Sequence, residues 1–282
     1  MITGASTGIG KACALYLAAR GFRVFAGVRK EADGAELVKI AGPSLTPLLL
    51  DVTDAASIGR AVEEIRQNVG ETGLSGLINN AGIGVSGPLE FLPIDELRRQ
   101  FEVNVFGAIA LTQAVLPLLR TARGRVINMG SIGGRAAIPF GGAYAASKFA
   151  LRALNDSLRN ELRPWGIEVS LIEPGRIATP AWEKNRGLAD RFLAAASPRA
   201  SELYGAALRR FEEFSWKSGQ SSIPSEVVAK VVLQALTVPR PRTHYLVGLD
   251  AEAQAILTAL LPARVLDFVV TRLMGLPAET KR

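Results

Sequence analysis

Short apolar runs of strand length alternate along this chain with longer stretches in which apolar residues return every three or four positions. The runs are FRVFAGV (22–28), LTPLLLD (45–51), LSGLINN (74–80), GRVINMGS (124–131), IEVSLIEP (167–174) and THYLVG (243–248). Helical period marks 8–20, 54–69, 95–120, 143–163 and 225–237. Several runs are apolar almost throughout, as parallel strands are when helices cover both faces of their sheet. The alternation predicts an α/β fold with a doubly wound parallel sheet. With no repeat or linker visible, the chain reads as one domain over 1–282. Two regions break the rhythm. Residues 180–224 form a long insertion of helical character, placed where a parallel sheet often carries a lid. Residues 250–282 add a C-terminal extension whose apolar helical pieces part at Pro262.

Composition excludes more than it selects. Of 282 residues, 48% are hydrophobic and 21% charged, which is a globular balance. The single cysteine, Cys13, cannot close a disulfide within the chain, so a reducing, cytoplasmic setting is expected. Cys13 sits in an apolar helical run and reads as packing. The one histidine, His244, leaves no metal-binding cluster, and its place in a strand gives it a structural role. The 33 basic residues against 26 acidic ones are scattered without a block, which argues for a solvated surface and against nucleic acid. No apolar run approaches the ~18–20 residues of a membrane span, and MITGASTG lacks the pattern of a signal peptide.

The first candidate chemistry is TGASTGIG (3–10), where Gly4, Gly8 and Gly10 run into a helix. Glycines let main-chain N–H groups approach an anion, and the helix N-terminus adds donors and a positive dipole end. The strand that follows ends in Val28, Arg29 and Lys30, where dinucleotide enzymes often carry an acid for the ribose hydroxyls. A cation there suits a 2′-phosphate, so Arg29 points to NADP(H), with NAD(H) as the alternative.

With LDVTD (50–54), NNAG (79–82), NVFG (104–107), GSIGG (130–134), YAASK (144–148) and EPGRIAT (173–179) in this order, the chain resembles the short-chain dehydrogenase/reductase family over roughly residues 1–180. The wording of SKFALRALNDSLRNEL and neighbouring stretches looks closest to its retinol and hydroxysteroid dehydrogenase branch. The resemblance implies a Rossmann-type sheet in the order 3-2-1-4-5-6-7. It implies a catalytic tetrad of Asn104, Ser131, Tyr144 and Lys148, with Asn104 holding a water that links Lys148 to solvent. It assigns Gly4, Ser6, Gly8, Ile9 and Gly10 to the cofactor, Asp51 and Val52 to its adenine, and Asn80, Ala81 and Gly82 to its adenosine side. Pro174, Gly175, Ile177 and Thr179 would hold the nicotinamide end, and Tyr144 and Lys148 would also touch the cofactor. Only Met1 and Ile2 precede the glycine loop, so either the central first strand is a stub or it begins upstream.

Tyr144 and Lys148 lie four apart on a helical segment, hence on one face and about 6 Å apart along the axis. An ammonium beside a phenol lowers its pKa from ~10 toward a useful range, so the pair is expected to exchange a proton with a substrate oxygen. Ser131 would donate to the same oxygen.

Ile138, Pro139 and Phe140 stand between Ser131 and Tyr144, and the insertion adds Trp182, Phe192, Leu203 and Tyr204. Ser131, Ile138, Phe140, Tyr144 and Trp182 are the candidate substrate contacts, suiting a lipophilic alcohol or ketone such as a steroid, retinoid or fatty carbonyl. The alternative is that these aromatics pack within the insertion. The amphipathic tail suits packing over the pocket or a subunit interface better than membrane contact, and leaves room for weak peripheral binding. The resemblance implies a homodimer or homotetramer through the helices carrying Asn104 and Tyr144. Two other readings remain: a catalytically silent NADP(H)-binding regulatory or scaffold protein of the same fold, and an epimerase or dehydratase of the related extended group, for which the chain has little room.

Overall fold

The computed structural model describes residues 1–276, so residues 277–282 of the expected extension lie outside the described residues. From the N-terminus the chain builds α1 (Gly8–Ala18), β1 (Val24–Val28), α2 (Glu31–Ala41), β2 (Leu45–Leu49), α3 (Ala55–Val69) and β3 (Gly76–Asn79). Next, α4 (Ile94–Phe101) runs through a π-helical turn, Glu102–Phe106, into α5 (Gly107–Ala122), followed by β4 (Arg125–Met129), α6 (Gly142–Leu162) and β5 (Glu168–Pro174). The insertion holds α7 (Ala181–Lys184), α8 (Leu188–Ala195) and α9 (Pro198–Gln220) between two short strands, β6 (Ile177–Ala178) and β7 (Ile223–Pro224). The chain continues through α10 (Ser225–Thr237), β8 (His244–Val247), α11 (Leu249–Leu260) and α12 (Ala263–Leu273).

All six long-range pairings of the main sheet are parallel, in the spatial order β2-β1-Ile2-β3-β4-β5-β8. With Ile2 counted as the first strand, this is the expected order 3-2-1-4-5-6-7. In this chain the central position is held by Ile2. Ile2 N–H donates to Phe25 O (2.9 Å), its carbonyl accepts from Gly27 N (2.8 Å), and Thr3 N–H reaches Ile78 O (3.0 Å). One residue thus carries ladder bonds toward β1 while its neighbour carries one toward β3, and its side chain is almost fully buried.

Successive side chains on a strand point to opposite faces, and the two cores follow that period. Val24, Ile78, Ile127 and Ile172 face α1 and α10 through Cys13, Leu17, Val228 and Val232. Phe25, Leu77, Val126 and Val169 face α3 and α5 through Ile65, Leu111, Val115 and Leu119. Each such buried aliphatic contributes about 1.5–3 kcal/mol. The two layers fix where every strand ends, and the strand ends carry the candidate site.

Three features differ from the sequence reading. Helix α2 was not foreseen, because Gly34 interrupts its pattern; a methyl there would lie 2.7 Å from Pro47 Cβ on β2, so close packing selects the glycine. The helical run Ile94–Ala122 does have the length and hydropathy to cross a membrane, contrary to the expectation of no such run. Half of that window is buried, with Leu111, Val115, Leu118 and Leu119 in the core beneath the sheet. The insertion closes on itself at its base, where Ile177 pairs with Ile223. Its own small core joins Ala189, Leu208 and Phe211 to Met274, with Val270 and Leu276 beside it, so the tail packs on the lid.

Candidate active site

The glycine loop, NNAG, the turn after β4 and the turn after β5 all meet at the carboxyl edge of the sheet. Gly4 and Gly8 adopt φ of +63° and +57°, which disfavours any side chain. A methyl at Gly4 would also lie 2.9 Å from Ala81 Cα, and one at Gly10 only 2.2 Å from Gly4 O. Asn80 ties the two segments together: its Nδ2 donates to Thr3 O (2.9 Å) and Gly4 O (3.2 Å). Thr3 Oγ1 in turn accepts from Asn80 N and Ala81 N. Gly82 lies next, where a methyl would be 3.4 Å from Asn104 Oδ1. The helix that begins at Gly8 has Thr7 as its cap without a side-chain bond, so its first N–H groups are free to face a ligand. Ser6 and Ile9 lie on the same loop, both half-buried. A methyl at Gly8 would sit 3.2 Å from Thr179 Cγ2, which brings the far end of the site to the loop. Arg29 is exposed at the end of β1. Hydrogen bonds from Thr53 hold the Asp51 carboxyl below its ordinary value, with Arg29 adding a smaller pull. Val52 is buried against Gly107.

Asn104 sits in the π-helical turn between α4 and α5. Such one-turn insertions rotate a side chain out of the helical register and are frequent at functional sites. Its Oδ1 accepts from Ile83 N (2.9 Å), and its Nδ2 donates to Ile83 O (3.0 Å) and Ser147 Oγ (3.1 Å). Both amide hydrogens are spent on the protein, so the side chain acts first as a positioning group. Gln100, four residues earlier and fully buried, does the same: Oε1 accepts from Val85 N (2.7 Å) and Nε2 donates to Ile83 O (2.7 Å). Sequence reasoning missed Gln100; its spacing of four from Asn104 on a helix was the available signal.

Tyr144 and Lys148 rise from the first turns of α6, one face as expected. Ser131, capping the short turn Ile132–Gly134 after β4, stands beside the Tyr144 ring: a methyl at Gly133 would lie 3.2 Å from Tyr144 Cε1 and 3.5 Å from Ser131 Oγ. Lys148 Nζ lies 5.7 Å from the Tyr144 ring centroid and donates to Met129 O at 2.8 Å. The electrostatics correct the expectation that the ammonium lowers the phenol. Burial pushes the Tyr144 pKa up, and the neighbouring Ser131 hydroxyl offsets this only partly. Burial also pulls Lys148 down to about 8. The phenol therefore stays protonated at neutral pH, and the amine, still mostly charged there, titrates just above it.

Behind Ser131 stands an ionic cluster. Arg135 clasps the fully buried Glu173 with Nε to Oε1 (2.8 Å) and Nη2 to Oε2 (2.6 Å). His244 bridges Glu173 Oε2 (3.1 Å) and Asp156 Oδ1 (3.0 Å), and Arg159 bonds Asp156 as well. Burial alone would raise the Glu173 carboxyl, but bonds from His244 and Arg135 hold it below its ordinary value. The histidine therefore has a structural role, as a bridge between carboxylates. Pro174 follows Glu173 directly. At Gly175 a methyl would lie 2.4 Å from Asp250 Oδ1, and Asp250 Oδ2 accepts from Arg176 N (2.8 Å). Ile177 is buried where β6 begins. None of Arg135, Glu173 and Asp250 was singled out for the site from sequence.

The substrate side is mixed. Ile138 and Phe140 join the lid core, and Phe140 stacks edge-on with Tyr204 at 6.3 Å. Its φ of +65° is unusual for a bulky residue and aims it at the lid. Tyr204 anchors its hydroxyl on Glu90 at 2.7 Å. Trp182 instead donates its indole N–H to Ile177 O (2.7 Å) and packs on Gly219, which is the internal-packing alternative. Leu203 is exposed. Cys13 is buried, its thiol pushed up to about 12 by that burial, in keeping with packing.

Residues 1–188 match the short chain dehydrogenase family. Mouse retinol dehydrogenase 5 is 38% identical over 285 residues, covering 99% of this chain and 89% of the relative. Bovine 17-beta-hydroxysteroid dehydrogenase type 6 is 36% identical over 283 residues, covering 99% and 89%. Among solved structures, a short chain dehydrogenase from Burkholderia cenocepacia J2315 in complex with NADP superposes with a TM-score of 0.72. It is 27% identical and covers 95% of this chain and 94% of its own.

Proposed function

The chain belongs to the short-chain dehydrogenase family, in its retinol and hydroxysteroid branch, and is an oxidoreductase of CH–OH groups; we propose that it reduces a lipophilic carbonyl, of steroid, retinoid or fatty type, with NADPH. The observation that carries this is the meeting of Tyr144, Ser131 and Lys148 at the sheet edge beside the glycine loop. The fit for a dinucleotide rests on Gly4 and Gly10, where a methyl would collide with backbone, on Gly8 at positive φ, and on the uncapped N-terminus of α1.

When bound, the nicotinamide supplies the hydride. Ser131 Oγ donates to the substrate oxygen and polarises it. Tyr144 Oη, protonated at neutral pH, hands its proton to the same oxygen, as the reductive direction requires. Lys148 Nζ holds the nicotinamide ribose and stands ready to restore that proton. Asn104 fixes Ile83 and Ser147 around them. Gly4, Ser6, Gly8, Ile9 and Gly10 cradle the phosphates, and Asp51, Val52, Asn80, Ala81 and Gly82 take the adenosine end. Pro174, Gly175, Ile177 and Thr179 take the nicotinamide. Arg29, exposed at the end of β1, meets the 2′-phosphate; the NADP of the Burkholderia cenocepacia relative supports that reading.

Lipophilic specificity is supported by Phe140 and Ile138 joining the lid core. Self-association is part of the proposal: Phe106 before α5 and Phe149 and Leu154 on α6 are exposed, which supports an oligomer through these helices. Sedimentation of the purified chain tests it, and a monomer at micromolar concentration removes it.

The experiment for the reaction follows NADPH absorbance against steroid, retinoid and short-chain carbonyls, with NADH in parallel. Bulky lipophilic carbonyls are expected to turn over faster than short ones. NADPH should exceed NADH by about tenfold in kcat/KM, a gap that Arg29→Ser closes. No turnover across the panel would favour the silent scaffold.

A further inference from the structure

We infer that Gln100 is a positioning residue for Tyr144, acting through the Ile83–Val85 segment and Ser147. This rests on the reading of the site as an oxidoreductase centre and deepens it.

A fully buried glutamine in an amphipathic helix is costly unless its amide is satisfied. Gln100 satisfies both ends against one short backbone segment. Oε1 accepts from Val85 N and Nε2 donates to Ile83 O, each at 2.7 Å, and Nε2 also lies 3.5 Å from Ser147 Oγ. Asn104 grips the same Ile83 from the next turn and bonds the same Ser147. Ser147 Oγ donates back to Tyr144 O at 2.7 Å. Two amides on one helix therefore converge on one hydroxyl, which is bonded to the backbone of Tyr144 itself.

The segment they hold is the wall of the Tyr144 ring. A methyl at Gly84 would lie 4.0 Å from Tyr144 Cδ2, and a methyl at Gly133, across the ring, 3.2 Å from Cε1. The ring is thus lodged between two backbones. Gly133 is fixed by its bond to Ser131 Oγ (3.1 Å), and Gly84 is fixed by the residues on either side of it, Ile83 and Val85. Val85 N has Gln100 as its side-chain partner, so removing the amide frees that end of the wall while Asn104 keeps the other. The phenol then loses its aim, while Asn104 keeps Ile83, and with it the adjoining Asn80–Gly82 wall of the nucleotide crevice, in place.

The test compares wild type with Gln100→Met, which keeps the volume and removes both polar ends, and with Gln100→Glu. For Gln100→Met the expected result is a fall in kcat of at least about tenfold, with KM and NADPH affinity within about twofold, since a displacement of an ångström is enough for such a loss. Gln100→Glu accepts from Val85 N but can donate to Ile83 O only when protonated. Its activity relative to wild type should therefore recover as pH falls. A Gln100→Met variant with kcat within about twofold of wild type, or a Gln100→Glu deficit unchanged with pH, overturns the proposal.

Hydrogen exchange on the same samples separates this from the reading beneath it. If wild type turns over no carbonyl, the oxidoreductase reading has failed. The positioning proposal then stands only if Gln100→Met speeds exchange in both 83–85 and 144–147 while α1 is unchanged. Unaltered exchange in those segments overturns it even in a poorly stable variant.

Discussion

Tyr144 stands between two clasps built from different chemistry. On the Gly84 side, Gln100, Asn104 and Ser147 form a neutral, buried network in which each bond is directional and no charge is desolvated. On the Gly133 side, Arg135, Glu173, His244 and Asp156 form an ionic network that joins the turn after β4 to β5, β8 and α6. The neutral clasp holds its geometry at any pH at which the protein is folded. The ionic one depends on a proton on His244, and a buried carboxylate is tolerated there only while its partners remain charged. The molecule thus fixes the phenol itself with amides, and fixes the serine turn and the turn after β5 behind it with charges.

The largest expected effect breaks the ionic side. Glu173→Ala leaves Arg135 and His244 without their shared acceptor and should cost about 3–5 kcal/mol by urea unfolding; a loss below about 1 kcal/mol would show that the cluster is ornamental. Next, Lys148 lies between the clasps with its pKa depressed to about 8 by burial. A cation with a depressed pKa costs stability below that value, and the cost is relieved as pH rises toward its unfolded ~10.4. Lys148→Met should therefore stabilise the fold at pH 7, by roughly 2–3 kcal/mol, while removing turnover. A destabilised variant would contradict this burial. The smallest effect sharpens the contrast. Hydrogen bonding to Glu173 raises the His244 pKa, with Asp156 adding to it against burial. Its contribution is complete below the unfolded value of ~6.5 and is lost as pH rises through the folded one. Wild type should lose stability across that window and His244→Gln should not, as paired denaturation curves would reveal; parallel curves would remove the titrating role.

Most of the fold was legible because its signals are local. Six strands and five helices announced themselves by period, and the site motifs lie on contiguous turns at strand ends. The central strand was legible only through the resemblance, since Ile2 offers a single residue and owes its place to neighbours on both sides. Helix α2 was not legible, since its Gly34 answers to Pro47 on another element. Arg135, Glu173 and Asp250 escaped for the same reason: each matters through a partner distant in sequence, and no spacing in the chain announces such a meeting; Gln100 offered only its spacing of four from Asn104. The sign of the Tyr144 shift was missed because a motif shows the lysine beside the phenol but not the depth at which both are buried.

The measurement that bears most directly on the account is turnover of NADPH with a lipophilic ketone by Tyr144→Phe, alongside NADPH binding followed by its fluorescence. The ring, its contacts with Gly84 and Gly133 and the nucleotide crevice all survive the loss of one hydroxyl. The account predicts NADPH affinity within about twofold of wild type and turnover reduced by a factor of about 10³ or more. Turnover near the wild-type rate would contradict it.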